Sequence, residues 1–370
     1  MKLKGHVKAV SQRNRNNRCC AVYSVTNSRG FTPSTDYFSK EIYSKDLSTY
    51  KLVEKGMIAY NPSRINVGSV ALQDKAECVI VSPLYVVFCV DETLLCPEYV
   101  TYFLKSEPGL RQIDFRSIGT VRNNFTFDAL EKMELRVPSV GDQLHVVSII
   151  RRVESVIEST KQKSNQLDDL VKSRFVEMFG DLLKNSKGQT LDDISELITV
   201  GIANAATHAY ADKGTIMFRN LNIRENRLDD TDLISIRPEF AAKYKKKALK
   251  SGDILVTRTG YPGVACIVPE KYAGCQTFTT LIVRLDASSG ASATFVSQYI
   301  NSPLGKEYVN KMKAGSSQQN FGATSLKSMP IVVPPLALQQ EFADFVSQVD
   351  KLRFEACYAM YLLCAAFTLL

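Results

Sequence analysis

From Ser139 to Gly180 the chain reads as one long amphipathic helix. Val146, Ile150, Val153, Ile157, Thr160, Ser164, Leu167, Val171 and Met178 follow the alternating four- and three-residue spacing of a coiled-coil seam, with Arg174 and the two central hydroxyls as polar interruptions. Ser139, with Asp142 three residues on, makes a start signal, no proline or glycine intervenes from Asp142 to Phe179, and Gly180 suits a C-terminal cap. The span is about 40 residues, or roughly 60 Å at 1.5 Å per residue. A seam of that length needs a partner helix. The stretch from Pro334 to Leu370 supplies one: Phe342, Val346, Val349, Ala356, Met360, Leu363, Phe367 and Leu370 take the same seam positions, with Arg353 standing where Ile157 stood.

The remaining pattern predicts strands and short helices. Ahead of the first long helix come a short strand at Ala21 to Thr26 and a strand in MIAYNPSRINVGSVAL, with turn chemistry at Asn61-Pro62 and Gly68. A buried strand is expected from Cys78 to Val90, then a helix pair bent at Pro108-Gly109. A polar loop, one helical turn around Leu130 and a strand closing at Pro138 complete the half. The second half repeats this order. Gly252 lies 196 residues after Gly56, and the same interval separates Val100 from Val296, Ser106 from Ser302, Gly109 from Gly305, Phe125 from Phe321, Leu130 from Leu326, Met133 from Met329 and Pro138 from Pro334. Chance spacing does not hold one interval across eighty residues. The organisation expected is therefore a domain over residues 1–138, a long helix over 139–180, a second domain over 181–334 and a second helix over 335–370.

Composition changes this picture little. Of 370 residues 45% are hydrophobic and 23% charged, ordinary for two or three soluble domains, and a net charge of +8 leans towards a polyanionic partner. Nine cysteines without a CxxC pair fit a reducing cytoplasm, and with three histidines no zinc spacing forms. The start, MKLKGHVKAVSQRNRNN, lacks the apolar run of a signal peptide. Phe354 to Leu370 is strongly apolar, but it is shorter than the ~20 residues that span a bilayer and carries Glu355, so it reads as a buried helix.

LKSGDILVTRTGYPGVACIV, SSQQNFGATSLKSMPIVVPPLALQQEFADFVSQVDKL, and their first-half echoes YNPSRINVGSVAL and GTVRNNFTFDALEKMELRVP resemble the specificity subunits of type I restriction-modification enzymes over nearly the whole chain. The resemblance implies an α+β fold: two target-recognition domains of mixed α/β structure separated by two long antiparallel helices that form a coiled coil, in a pseudo-twofold internal repeat. It also implies a non-catalytic chain. Each recognition domain reads one half of an asymmetric bipartite DNA target, and the helix pair sets the spacer and docks two methyltransferase subunits. Two motor-nuclease restriction subunits join the complex, and S-adenosylmethionine belongs to the methyltransferase partner, leaving no cofactor in this chain. Two departures stand out. The chain begins about where residue 197 falls in the second repeat, so the lead-in of Leu191 to Glu196 has no evident counterpart, and the last helix stops at the equivalent of Arg174 and loses the charged character of the first.

DNA contacts are expected from cations, which position on phosphates, and from amides and hydroxyls, which read base edges. In the first half these are Arg13, Arg15, Asn16 and Arg18, then Tyr60, Asn61 and Arg64, then Arg116, Thr120, Arg122 and Asn123. In the second they are Arg219, Asn220 and Asn222, then Arg258, Thr259 and Tyr261, then Lys313, Ser316, Ser317, Gln318 and Gln319. The loops FRSIGTVRNNF and MKAGSSQQNF occupy matching repeat positions and are the better candidates.

Catalytic signals are weak. Asn61-Pro62-Ser63-Arg64 echoes the adenine-holding motif of amino-methyltransferases, but its third residue is serine, its fourth is not aromatic, and no glycine-rich cofactor loop precedes it. His6, His145 and His208 lack partners at catalytic spacing, and there is no Walker A loop or nuclease core. Two alternatives to a DNA-reading scaffold stay open. A standalone methyltransferase or nuclease predicts S-adenosylmethionine binding by the isolated chain, and a coiled-coil interaction protein without DNA readout predicts binding insensitive to salt.

Overall fold

A computed structural model of the chain describes all residues except 16–17, 38–43, 45, 118–123, 184–187, 204–206, 314–319 and 369–370. The chain divides into two units, Met1–Val156 and Ile157–Leu370.

The first unit holds strands β1 (Val7–Val10), β2 (Tyr23–Thr26), β3 (Gly30–Pro33), β4 (Lys51–Glu54), β5 (Ile58–Tyr60), β6 (Val70–Leu72), β7 (Cys78–Val81) and β8 (Val86–Val90). Its helices are α1 (Ser34–Tyr37), α2 (Pro97–Lys105), α3 (Glu107–Arg116), α4 (Phe127–Glu131) and the start of α5 (Val140–Leu183). Strands β1, β8, β5 and β6 form an antiparallel sheet in that order, with Val7 opposite Val90 and Ile58 opposite both Phe88 and Leu72. β2 pairs with β3 and β4 with β7. The apolar run expected as one strand from Cys78 to Val90 is two, because Tyr85 N–H turns back to the Ser82 carbonyl and sends β7 and β8 to different sheets. The segment expected as a strand closing at Pro138 makes a single bridge, Glu134 to Lys2. Leu104, Ile113, Phe125, Leu130 and Met133 bury fully in one cluster with Ile58 and Phe88 of the sheet.

The second unit rebuilds this frame. It contains β9 (Ser195–Val200), β10 (Tyr210–Ala211), β11 (Thr215–Phe218), β12 (Ile223–Arg224), β13 (Arg227–Leu228), β14 (Ile234–Ile236), α6 (Pro238–Ala242), β15 (Ile254–Val256), β16 (Ala265–Ile267), β17 (Gln276–Thr277) and β18 (Leu281–Leu285). The helices α7 (Ala293–Asn301), α8 (Pro303–Met312), α9 (Ala323–Lys327) and α10 (Leu336–Thr368) follow. The sheet β9-β18-β15-β16 has the strand order of β1-β8-β5-β6. Helices α7 to α9 span the positions of α2 to α4 moved by 196, and β15 likewise repeats β5. The corner between each helix pair is fixed the same way: Ser106 Oγ accepts from Gly109 N–H, and Ser302 Oγ from Gly305 N–H. Any side chain at those glycines would strike backbone, for a Cβ on Gly109 would lie 2.0 Å from Phe103 O and one on Gly305 2.3 Å from Tyr299 O.

A second device recurs at the entry to each long helix. Gln143, fully buried, donates through Nε2 to Leu94 O (2.8 Å) and Pro138 O (3.0 Å) and accepts from Cys96 N–H at 2.8 Å. Gln339 donates to Gly290 O (2.9 Å) and Pro334 O (2.8 Å) and accepts from Ser292 N–H at 2.8 Å. All four positions correspond at an interval of 196. The lead-in expected to lack a counterpart in the first repeat has one. Leu3 N–H donates to Met133 O at 3.0 Å as Leu191 N–H does to Met329 O at 2.8 Å, and Leu135 N–H bonds Met1 O as Ile331 N–H bonds Gln189 O. The interval there is 188, so the fixed spacing read from the sequence hid it. What differs between the units lies outside these shared strands: the pairs β2-β3 and β4-β7 in the first, with β7 inserted between β6 and β8, and the sheet β10-β14-β11-β17 with the β12-β13 hairpin in the second, with β17 inserted between β16 and β18.

The helix α5 runs 44 residues and begins as expected, with Asp142 N–H donating to Ser139 Oγ. Gly180 lies inside it rather than capping it. From Asp168 onward α5 pairs antiparallel with α10: Asp168 meets Arg353 at 2.6 Å, and Arg174 meets Glu341 at 2.9 Å. Arg174 thus flanks the seam instead of interrupting it. Two residues outside the expected seam, Phe175 and Phe179, are buried. They meet Phe342 at ring-centroid separations of 5.4 and 5.5 Å and Phe295 at 5.8 and 5.1 Å, joining the helix pair to the core of the second unit. Up to Leu362 the apolar end of α10 is not the buried helix expected, and the burial of residues 363–370 lies outside what is described. Phe354, Tyr358, Tyr361 and Leu362 are all at least half exposed. Among the described residues no helix is long and apolar enough to cross a membrane.

Candidate nucleic-acid interface

The loops after β5 and β15 occupy the same place in the repeated frame, and each borders a groove. They are also tied to the same neighbour, since Phe125 N–H donates to Pro62 O (3.0 Å) and Phe321 N–H to Arg258 O (2.9 Å).

The first groove encloses about 210 Å³ between Ser24, Thr26, Asn27, Asn61, Arg64, Val67, Ser69 and Tyr85. Asn61 sits at its mouth in an Asx turn, its Oδ1 accepting from Ser63 N–H at 3.0 Å. Gly68, at φ 88°, closes the turn that presents exposed Arg64 and Val67. Ser69 Oγ donates to Val25 O (2.6 Å) and Tyr85 Oη accepts from Val25 N–H (3.4 Å), which fastens β2 to the groove. The walls are mostly amides, hydroxyls and one guanidinium, groups suited to base edges and phosphate.

The second groove is larger, about 730 Å³, and is lined by Arg219, Asn220, Leu221, Ile223, Arg224, Thr257, Thr259, Tyr261, Val264, Phe278 and Thr279. Its polar side chains are largely engaged with one another. Asn220 Nδ2 donates to Thr259 Oγ1 at 2.7 Å, and its Oδ1 accepts from Arg258 N–H. Arg219 Nη2 reaches Asp232 Oδ2 at 2.8 Å, and Arg224 reaches Asp229 at 3.2 Å. Thr257 Oγ1 accepts from Val264 N–H and donates to Tyr261 O, drawing the loop into a tight turn. Gly260 and Gly263, at φ 77° and 87°, permit the turn, and a Cβ on Gly263 would lie 2.7 Å from Val309 Cγ1 of α8. Thr279 takes φ 58°, a left-handed conformation uncommon for a β-branched residue. Glu225, at the tip of the β12-β13 hairpin beside the groove, is tied to α5 through Lys172 (2.9 Å) and to α8 through Lys306 (2.5 Å). Burial works to raise its carboxyl pKa, but these two lysines hold it below the ordinary glutamate value.

The structure separates the expected contacts into classes. Asn61 and Arg64 line the first groove, and Arg219, Asn220, Thr259 and Tyr261 line the second. Arg258 lies on the same loop, with its Nε bound to Asn320 Oδ1 at 3.1 Å. Two expectations fail. Tyr60 is fully buried against Phe88 and Phe125, with burial pushing its phenol pKa far up, because β5 turns it to the core face. Asn222 is fully buried as a turn clamp, its Oδ1 accepting from Arg219 N–H and its Nδ2 donating to Asp229 O and Thr231 O.

Arg13, Arg15 and Arg18 do not line the first groove. They flank a loop held by buried Asn14, which donates to Cys19 O and accepts from Cys19 N–H, and Arg18 pairs with Glu54 at 3.1 Å. Arg116 folds over the Phe115 ring at 5.7 Å, and Lys313 caps α8. Asn16, Thr120, Arg122, Asn123, Ser316, Ser317, Gln318 and Gln319 lie outside the described residues. Sequence reasoning missed Tyr85, Leu221, Arg224 and Thr279. For Leu221 a signal existed, an apolar residue inside the polar run RNLN, whereas the others are set by how the inserts fold onto the frame.

The known proteins the chain is similar to agree on one kind. A model of the type I restriction modification DNA specificity domain matches residues 14–169 and again 184–356. The chain is 35% identical over 112 residues to the type I restriction enzyme EcoEI specificity subunit of Escherichia coli, a stretch covering 28% of this chain and 19% of that protein. Against the EcoKI specificity subunit of Escherichia coli strain K12 it is 19% identical over 279 residues, 70% of this chain and 59% of the relative. The matches thus span less than two thirds of either relative's length. A solved type I restriction-modification S subunit from M. genitalium shares the fold, with a TM-score of 0.54 at 13% identity over 99% of this chain and 92% of that one. The specificity-domain match falls twice, once on each copy of the repeated frame, and the chain belongs to the type I restriction-modification DNA specificity family.

Proposed function

We propose that the chain is the non-catalytic DNA-reading subunit of a type I restriction-modification complex. Residues 1–138 and 181–334 each read one half of a bipartite target in double-stranded DNA. The long helices hold the two readers at a set spacing and dock two methyltransferase subunits, to which two restriction subunits add. S-adenosylmethionine is used by the methyltransferase partner, and this chain contributes no catalytic group. The observation that carries this reading is the pairing of one repeated frame with two dissimilar grooves at equivalent loops. A duplicated scaffold with divergent walls is what an asymmetric two-part target requires, whereas a pure interaction protein has no reason to vary the groove and keep the frame.

The test is binding of the full chain, with its methyltransferase partner, to randomised duplex DNA at several salt concentrations, followed by sequencing of the selected pool. A split motif and an affinity that falls steeply with salt are expected, since each neutralised phosphate contributes about 0.9 to the log–log slope. A flat salt response and an unselected pool would overturn the reading in favour of an interaction scaffold.

A further inference from the structure

The two grooves differ in what they leave free to touch a ligand. In the second, Arg219, Asn220, Arg224, Thr257 and Thr259 all make hydrogen bonds within the protein. Apolar surface projects beside them. Tyr261 is 85% exposed and Leu221 46%, and both stand over a floor of Ile223, Val264 and Phe278. Tyr261 is not a loose surface residue. Its N–H donates to Thr259 O at 3.0 Å, its carbonyl accepts from Thr257 Oγ1, and two left-handed glycines fix the turn that carries it. With the backbone beneath it fixed, contact with the ring orders only two side-chain torsions, a small entropy cost for its area. In the first groove the walls are Ser24, Thr26, Asn61, Arg64 and Ser69 with Val67 and Tyr85, and exposed Arg64 and Val67 stand where the second groove has exposed Tyr261 and Leu221.

Resting on the reading above, we propose that Tyr261 and Leu221 determine specificity in the second half-site by packing against the C5-methyl group of a thymine. The edges of a DNA duplex carry donors and acceptors at every base pair, but their one apolar group in the major groove is that methyl. A groove that projects the Tyr261 ring and Leu221 from its rim presents carbon to that group. The first groove pairs exposed Val67 with the Arg64 guanidinium and has no exposed aromatic ring among its lining residues.

The test uses the full chain with its methyltransferase partner and the split motif found by selection. Each thymine is replaced singly by deoxyuridine, which removes only the methyl. For the wild-type chain, one position in one half is expected to lose about fourfold in affinity, the equivalent of burying one CH₂ group at ~0.8 kcal/mol. Tyr261→Ala is expected to bind thymine and uracil DNA alike at that position, while Tyr261→Phe keeps the difference because the ring and not the hydroxyl makes the contact. Tyr261 is mostly exposed, so neither variant threatens the fold. The proposal is overturned if no thymine is sensitive, or if Tyr261→Ala keeps the same thymine-to-uracil ratio. A loss of affinity in Tyr261→Ala that ignores the methyl also overturns it and points to insertion between base steps. Failure of the wild-type chain to select any motif is a different result, and it defeats the DNA-reading function itself.

Discussion

Replacing Gln143 with methionine isolates the clamp that starts each long helix. Methionine keeps the volume and the unbranched shape, so the cavity cost is small. What is lost are the bonds to Leu94 O, Pro138 O and Cys96 N–H, all made by a fully buried side chain. The two bonds to carbonyls contribute about 1 kcal/mol each, and leaving the Cys96 N–H unpaired in a dry site costs about 1–3 kcal/mol, so the loss should be about 3–5 kcal/mol. The chain has no tryptophan, so the assay is native-state hydrogen exchange, which reports on each unit separately. Protection in the first unit should fall by about two to four orders of magnitude, at 1.4 kcal/mol per tenfold, with the second unit spared. Gln339→Met should reproduce the effect in the second unit. A loss below about 1 kcal/mol at either site would show that the recurring geometry does not hold the helix to its domain.

Two further outcomes follow from single contacts. Gly305→Ala puts a methyl 2.3 Å from Tyr299 O and 2.4 Å from Ile300 O, both backbone, so the corner between α7 and α8 must open. A destabilisation of about 3 kcal/mol, at the upper end of overpacking costs, is expected in thermal unfolding, and a change within about 0.5 kcal/mol would refute it. Because Lys306 and Lys172 lower the folded pKa of Glu225, its stabilisation is complete above the unfolded value of about 4.3 and is lost as pH falls through the lower folded value. Acid titration of stability should therefore be steeper below about pH 4.3 in the wild type than in Glu225→Gln, and parallel curves would show the ion pairs to be inert.

Much of this molecule is written in local pattern. The four-three spacing in α5 and α10 depends on helix geometry alone, and the fixed interval between glycines, serines and prolines exposes the repeat because each such residue answers a backbone need that recurs with the frame. Ser302 with Gly305, and Ser106 with Gly109, are legible for that reason. The lead-in at Leu3 escaped because the inserts differ in length and shift the interval to 188, although the backbone bond it makes is the same.

The sequence by itself determined the helices, the repeat and the division into two similar frames, since these follow from periodicity and from turn chemistry within a few residues. Only the tertiary structure decided which polar residues face a ligand. Tyr60, Asn61 and Arg64 are near neighbours in sequence, yet β5 buries the first and its turn exposes the last. Asn222 looks as available as Asn220 until the loop folds back and buries it on two carbonyls. Exposure and the spending of hydrogen-bond capacity are set by contacts between segments far apart in the chain, and no local pattern encodes them.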